Sequence, residues 1–202
     1  MRLMIYDDTC RGNDGSLGLT HSWILGGKLY QRRGLLDAFH GVRSWEEAFQ
    51  WLLDVSGGES ISEIQFWGHG KWGSAYLQRE ILDEKSLLSS HARCSQLDAL
   101  AQQLTENSMW WFRTCETFGA EKGHAFAEHF TERLGCRVAG HTYIIGPWQS
   151  GLHSLRPGQK ADWSTEEGIK EGNPIAPQRA LWSVPWAPHT LHCLQGHIPR
   201  NW

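Results

Sequence analysis

Residues 109–115 read Met-Trp-Trp-Phe-Arg-Thr-Cys, and they decide the fold together with residues 66–70, which read Phe-Trp-Gly-His-Gly. The first stretch is a continuous apolar run rich in aromatic side chains, which is typical of a strand buried on both faces. The second stretch closes an apolar run of its own. Each therefore predicts a buried strand that delivers one reactive side chain at its end, Cys115 or His69.

Helix signals lie between and after these strands. Ser44 and Glu47 have the spacing of a capping box, which predicts a helix that begins there. Ser95 is predicted to cap a second helix. A third helix is predicted over 120–134, with Gly135 as its C-terminal cap.

Further strands are predicted at 2–6 and 136–139, so strands alternate with helices along the chain. This alternation predicts an α/β fold in which helices flank a mainly parallel sheet, with ligands at the carboxyl ends of the strands. His69 and Cys115 should then share one edge of the sheet. A turn over 11–15 and a short hairpin over 71–77 are also predicted.

Composition narrows the class of protein. The chain has 202 residues, of which 20% are charged and 40% hydrophobic, as expected of one globular domain. A net charge of −3 gives no electrostatic reason to expect a nucleic-acid or membrane partner. The N-terminus becomes acidic too soon for a signal peptide, and the five cysteines form no CxxC pair, so a cytoplasmic protein with reduced thiols is expected.

The prolines indicate an internal boundary, because all seven follow residue 146. We expect residues 1–146 to form the regular core. Residues 147–202 are expected to form a Pro/Trp-rich extension, mostly loop, that packs on the same domain because it also carries five tryptophans.

A histidine and a cysteine at neighbouring strand ends point to thiol catalysis, in which the thiolate is the nucleophile. Gly68 and Gly70 would let the chain turn beside His69. The amides of Gly70 and Cys115 are the candidate donors to an oxyanion. A helix that begins soon after Cys115 would favour the thiolate through its positive dipole end.

The order of a hydrophobic strand, Gly-His-Gly, about 45 residues, a second strand and Cys resembles the caspase, legumain and gingipain superfamily of cysteine peptidases. Residues 115–126 and 134–140 further resemble a bacterial caspase-like family of largely unassigned function. The resemblance spans about residues 60–146. It implies a caspase-like three-layer sandwich and an endopeptidase that acts on protein or peptide substrates through a His69-Cys115 dyad, without a metal or organic cofactor.

Two further properties are implied by the superfamily. Its bacterial relatives often act in defence or regulated cell death. Such proteases are also often latent until a protein partner, a cleavage or dimerisation orders the active loops.

The resemblance is a weaker guide to substrate preference, because residues 113–117 share only the cysteine with the caspase signature Gln-Ala-Cys-Arg-Gly. By resemblance, Arg113 lines the pocket for the residue before the cut bond, and Arg11 lies in a region that also supplies a pocket arginine. The two guanidinium groups would favour an acidic side chain. Trp148 is expected to form an apolar wall of the groove. Alternatively, Arg113 pairs with Glu116 or another acid and has no role with substrate.

Two other functions stay open at this point. The chain could be a caspase-like interaction or scaffold module whose tryptophans form an aromatic recognition surface; these are Trp72, Trp148, Trp163, Trp182 and Trp186. His192, Cys193 and His197, with His189 nearby, could instead bind zinc. Their spacing fits no zinc module, so no metal site is predicted.

Overall fold

The computed structural model describes residues 1–12, 18–199 and 202, so the predicted turn over 11–15 lies partly outside the described residues. The helices are α1 (Leu19–Arg32), α2 (Trp45–Ser56), α3 (Cys94–Ala101) and α4 (Ala120–Leu134). The strands are β1 (Arg2–Asp7), β2 (Ala38–Val42), β3 (Glu63–Trp67), β4 (His69–Lys71), β5 (Ser74–Leu77), β6 (Glu80–Asp83), β7 (Met109–Arg113), β8 (Arg137–His141), β9 (Trp148–Gln149), β10 (Leu152–Leu155), β11 (Ile169–Gly172), β12 (Pro177–Ala180) and β13 (Leu191–His192).

Within the described residues, six strands form the central sheet in the order β10-β8-β7-β3-β1-β2. Neighbours pair in parallel, except that β10 runs antiparallel to β8. The predicted α/β fold class is therefore confirmed: a mainly parallel sheet is flanked by helices, which is compatible with a caspase-like sandwich.

The alternation of side chains along β1 shows how the layers form. Leu3 and Ile5 pack into the larger core, which α2, α3 and α4 share. Met4 and Tyr6 point to the opposite face and pack with Tyr30 of α1. Because successive side chains of a strand alternate between faces, both faces of the sheet are buried.

The segment after residue 146 is part of the sheet and of its packing. Strand β10 belongs to the central sheet, so the expected boundary at 146 is wrong as an edge of the folded core. Leu191 and Ile198 pack against Trp111 in the layer opposite α4. The prolines did predict long irregular stretches, but short strands pair within them.

Helix α1 is absent from the sequence-based prediction because it contains two adjacent glycines and has no side-chain N-cap. The glycines have a packing reason. A Cβ on Gly26 would lie 2.6 Å from the ring of Trp67, and one on Gly27 would lie 2.8 Å from that of Phe39. Bare Cα atoms therefore let α1 approach the sheet closely.

The other predicted elements need only local corrections. The Ser44 hydroxyl accepts a hydrogen bond from the amide of Glu47, as predicted. The Glu47 carboxylate, however, accepts one from the amide of Arg43 rather than from that of Ser44. Helix α3 begins at Cys94, one residue before the predicted cap, Ser95. The short hairpin is a three-stranded antiparallel sheet of β4, β5 and β6.

None of the helices in the described part of the chain is long and apolar enough to cross a membrane.

Candidate active site

The two candidate catalytic residues follow strands that are direct neighbours. Trp67 at the end of β3 pairs with Arg113 at the end of β7 in a parallel ladder. His69 and Cys115 each come two residues after that shared position. Parallel strands end at the same edge of a sheet, so the register brings both residues to the carboxyl edge, where ligands bind in such folds.

His69 is the first residue of β4 and is exposed. Its ring meets the ring of Trp23 of α1 edge-on, at a centroid distance of 5.9 Å. The imidazole makes no hydrogen bond with any of the described residues. Its ring is therefore accessible to a group that approaches from solvent.

Cys115 is half-buried, and its Sγ lies 4.0 Å from the carbonyl oxygen of Ile145. Burial raises the pKa of the Cys115 thiol to about 11, and the negative charge of Glu116 adds to this effect. The expected preference for thiolate is thus not met in this conformation. Among the described residues, His69 is not a hydrogen-bond partner of the sulfur.

A close approach of backbone joins the two segments that carry the dyad. A Cβ on Gly70 would lie 2.8 Å from the carbonyl oxygen of Cys115, and the Thr117 hydroxyl would be closer still. The amide of Gly73 also donates to the carbonyl of Thr117, at 2.8 Å. The hairpin that begins at His69 therefore packs directly on the turn that contains Cys115.

Two buried threonines hold this turn. The hydroxyl groups of Thr114 and Thr117 are 2.6 Å apart, and that of Thr117 also donates to the carbonyl of Cys115 at 3.2 Å. Both threonines are fully buried. A buried, satisfied hydroxyl pair of this kind fixes one conformation of the turn.

Glu116, the residue after Cys115, has an unusual environment. Its φ angle of 32° lies in the left-handed region, which is uncommon for a residue with a side chain and recurs at functional sites. Burial raises the pKa of its carboxyl to about 7, against the opposing charge of Lys71. Its backbone amide donates to the carbonyl of Tyr143.

A comparison with family models identifies the chain. The model described as "Domain of unknown function (DUF4347)" matches residues 40–166, which is more than half of the chain. The chain belongs to the DUF4347 family. The matched region includes both His69 and Cys115, and it extends past residue 146 to include β10.

Other comparisons of this DUF4347 protein add little. A search of curated proteins finds no match. Among solved structures, the chain is similar to one titled "X-ray Structure of an Inactive Zymogen C11 Protease from Parabacteroides distasonis", at 16% identity and a TM-score of 0.37. The similarity covers 71% of this chain and 49% of that one, so the chain spans about half the length of that protease.

Arg113 is not placed to line a substrate pocket in this DUF4347 domain, which corrects the expectation drawn from the resemblance. It is 3% exposed, and its guanidinium donates to Gln149, to the hydroxyl of Tyr30 and to the carbonyl of Cys193. The same group lies over the ring of Trp111, 4.3 Å from its centroid. No ion pair joins Arg113 to Glu116, because the acceptors of Arg113 among the described residues are all neutral groups.

The other predicted substrate contacts lie near the surface. Arg11 is exposed and forms an ion pair with Asp8 at 2.5 Å. Trp148 is 39% exposed, and its ring meets that of His192 edge-on. Trp148 lies three residues after Ile145, whose carbonyl faces the Cys115 sulfur. The role of Trp148 as a groove wall stays a prediction.

Of the two predicted oxyanion donors, the Cys115 amide has no acceptor among the described residues. Gly70 lies in β4, opposite Ala75 of β5. Its place next to the Cys115 carbonyl keeps it beside the predicted nucleophile.

The described residues contain no side-chain cluster that supports the zinc alternative. Over 1–12, 18–199 and 202, no three His, Cys, Asp or Glu side chains are grouped so as to hold a metal ion. His192 packs on Trp148, whereas His189 stacks on Trp202 and meets His153 edge-on.

Sequence reasoning missed three residues of the site: Trp23, Glu116 and Thr117. Trp23 could not be found because α1 itself was not predicted. Glu116 and Thr117 come directly after the predicted nucleophile. This position in the sequence was the only signal that they belong to the site. Local sequence does not show that a carboxylate will be buried or that its neighbour will bridge two segments.

Proposed function

We propose that this DUF4347 domain is a cysteine endopeptidase in which Cys115 is the nucleophile and His69 is the general acid and base. The observation that carries the proposal is the shared register of β3 and β7, which brings both residues to one sheet edge. The packing of Gly70 on the Cys115 carbonyl supports it. A thiol and an imidazole on adjoining rigid segments are the minimum that thiol catalysis needs.

The reaction would proceed in two steps. His69 accepts the proton of the Cys115 thiol, and the thiolate attacks the carbonyl carbon of the scissile peptide bond. His69 then donates that proton to the departing amine, which leaves an acyl group on Cys115. Water, deprotonated by His69, attacks the thioester, and the acid product and the thiol are released.

Backbone amides would stabilise the charge that develops on the carbonyl oxygen. The Cys115 amide, which has no acceptor among the described residues, is the first candidate, and the Gly70 amide is the second. Fixed donors of this kind need no reorganisation during the reaction, which is why they stabilise transition states efficiently.

The conformation described here fits a resting enzyme. The Cys115 thiol has a pKa of about 11 and no bond to His69, so only a small fraction would be thiolate at neutral pH. Binding of a substrate or of an activating protein would have to bring the imidazole to the sulfur. The proposal therefore includes latency, with a protein partner as one possible trigger.

The test is cleavage of a mixed peptide library, read by mass spectrometry, by the wild-type protein and by Cys115→Ala and His69→Ala. Cys94→Ala is the matched control, because Cys94 is also half-buried and begins helix α3, which packs on α2 and α4. We expect cleavage by the wild type and the control only. Cleavage that persists in Cys115→Ala would rule out this nucleophile.

A second candidate function is an interaction module, and one observation favours it. Trp182 and Trp186 are 68% and 83% exposed, and Ile175 is 73% exposed. Exposed tryptophans are unusual on a monomer and are enriched at interface hot spots. The predicted aromatic surface contains fewer tryptophans than expected, however, because Trp72 and Trp163 are each only 8% exposed.

The two functions separate in one experiment. If the domain is a scaffold, its partner proteins should bind Cys115→Ala as tightly as the wild type. They should not bind the double variant that carries Trp182→Ala and Trp186→Ala. Proteins that are cleaved substrates should instead be retained by Cys115→Ala and processed by the wild type.

A further inference from the structure

A cavity with a volume of about 330 Å³ lies beside β10, at the edge of the central sheet. Pockets that hold small molecules measure roughly 300–1,000 Å³, so the cavity is large enough for a small ligand. Its lining includes Arg137, which is the first residue of β8, and Arg156, which follows β10. The cavity therefore has a basic end.

This basic end is separate from the candidate active site. Arg137 pairs with Met109, the first residue of β7, in the parallel ladder of β7 and β8. Cys115 follows the other end of β7. Because the amino ends of parallel strands share one edge of a sheet, Arg137 lies at the edge opposite to the dyad. A ligand bound to Arg137 would leave the space at Cys115 open.

The register of the sheet brings two guanidinium groups together. Leu155 of β10 pairs with Val138 of β8 in an antiparallel ladder. The same register, continued by one residue, places Arg156 across from Arg137. Like charges in opposite positions destabilise a pair of strands. Burial lowers the pKa of the Arg137 guanidinium, and the charge of Arg156 lowers it further.

The hydrogen bonds of the two arginines do not remove this repulsion. Nε and Nη2 of Arg137 donate to the Ser154 hydroxyl at 3.0 and 2.8 Å, and Nη2 also donates to the main-chain oxygen of Trp202. Arg156 donates to the carbonyl of Glu106 at 3.4 Å. Among the described residues, no Asp or Glu side chain pairs with either arginine. An anion in the cavity would supply the missing negative charge.

The other charges of the lining do not reverse its sign. Lys160 is positive, but it pairs with Glu128 at 2.7 Å. Asp162 is the only acidic residue in the described lining. It is exposed, as is Arg156, so water screens both of these charges. Arg137 is half-buried, where a charge acts in a medium of lower dielectric constant, and it therefore dominates.

The wall next to this basic end is aromatic. The rings of His189 and Trp202 stack with their centroids 4.8 Å apart, and both residues line the cavity. His153, which also lines it, is held by the Glu167 carboxylate at 2.8 Å and meets the ring of His189 edge-on. A cationic end beside an aromatic wall suits a ligand that has an anionic group on a flat or apolar body.

We propose that this cavity binds the phosphate group of a small molecule through Arg137 and Arg156. The guanidinium group offers a fork of N–H donors that matches the oxygens of a phosphate. A phosphate monoester carries about −1.5 to −2 charges at pH 7, so it can neutralise both arginines, whereas a carboxylate carries only one. The rest of the molecule would lie against His189 and Trp202. This inference does not depend on the proposed peptidase function.

The first test is isothermal titration calorimetry of the whole chain in a buffer without phosphate or sulfate. The probes are phenyl phosphate, benzoate and benzyl alcohol, which share an aromatic ring and differ in charge. We expect the Kd of phenyl phosphate to be at least about tenfold lower than that of benzoate, with no measurable binding of benzyl alcohol. Tighter binding of benzoate, or no saturable binding of phenyl phosphate, would overturn the proposed phosphate site.

Variants locate the binding. Arg137→Gln should raise the Kd of phenyl phosphate about tenfold or more, because it removes a half-buried cation. Arg156→Gln, at an exposed position that the fold does not need, should raise it at least about threefold. Arg79→Gln is the matched control, an exposed arginine between β5 and β6, and should leave the Kd unchanged. An unchanged Kd in Arg156→Gln and in folded Arg137→Gln would place the ligand elsewhere and overturn the proposal.

A second measurement uses stability and the aromatic wall. Without ligand, Arg156→Gln should be at least as stable as the wild type in thermal unfolding, because it removes a repulsion. Phenyl phosphate should raise the Tm of the wild type more than that of Arg156→Gln. It should also shift the indole N–H signal of Trp202, assigned in NMR spectra by its loss in Trp202→Phe. Equal Tm shifts in the two proteins, or an unmoved Trp202 signal, would contradict the proposed site.

Discussion

A Cβ atom on Gly70 would lie 2.8 Å from the carbonyl oxygen of Cys115, so the chain that follows His69 rests directly on the turn that presents the cysteine. Side chains cannot be inserted at such a contact without movement of backbone. The relative position of the predicted base and the predicted nucleophile therefore depends on one glycine.

Gly70→Ala should separate the two segments. The added methyl group must displace the Cys115 carbonyl and the Thr117 hydroxyl, and overpacking of this kind costs about 1–3 kcal/mol. We expect a lower free energy of unfolding in urea and loss of peptide cleavage. Gly146→Ala is the matched control, because a Cβ there meets nothing within 4 Å in the described chain.

For activity, the hydroxyl group of Thr117 should matter more than the volume of its side chain. Thr117→Val keeps the shape but removes the bonds to Thr114 and to the Cys115 carbonyl, at a cost of about 1 kcal/mol per bond. We expect reduced kcat in cleavage assays, whereas Thr117→Ser should retain most of the activity. Full activity in Thr117→Val would show that the turn does not need these bonds.

Arg113 is expected to stabilise the fold, and the exposed Arg11 is not. Removal of the buried guanidinium in Arg113→Ala leaves the hydroxyl oxygen of Tyr30 and the amide oxygen of Gln149 without this donor and creates a cavity, so we expect a loss of about 3 kcal/mol or more. Arg11→Ala should change the free energy of unfolding by less than about 0.5 kcal/mol. Chemical denaturation of both variants decides the point, and equal stability would contradict the buried role.

The Cys115 thiol should react slowly at neutral pH. Because its pKa is about 11, alkylation by iodoacetamide should speed up with rising pH well beyond the range of an ordinary thiol. Glu116→Gln removes a nearby negative charge and should raise the rate at pH 8. Mass spectrometry of the Cys115 peptide measures both effects, and a fast reaction at pH 6 would show that the thiolate is already formed.

The buried carboxyl of Glu116 should make the fold less stable as pH rises. Its pKa is about 7 in the folded chain and about 4.5 when unfolded, so the folded state holds the extra proton between these values. Its favourable contribution is complete below pH 4.5 and is lost as pH rises through 7, by roughly 3 kcal/mol. Glu116→Gln should therefore gain stability over the wild type at pH 8 but not at pH 4.5, as measured by urea unfolding.

Much of the fold could be predicted because its signals are local. Helix α4 has the predicted bounds, and Gly135 ends it with a φ of 62°, which a side chain disfavours. Strand β7 begins with four apolar residues, so its burial is evident from composition. Helix α1 was missed because Gly26 and Gly27 weaken the helical signal, and their purpose is apparent only from the rings of Trp67 and Phe39.

The sequence by itself determined the alternation of strands and helices and the place of His69 and Cys115 at two strand ends, because periodicity and turn residues act over a few positions. Only the tertiary structure decided that Arg113 is buried among Tyr30, Gln149 and the carbonyl of Cys193, and that Oε2 of Glu116 is buried without a hydrogen-bond partner among the described residues. These contacts join residues far apart in the chain. Burial and charge at such a point depend on every segment that meets there, and no local pattern encodes them.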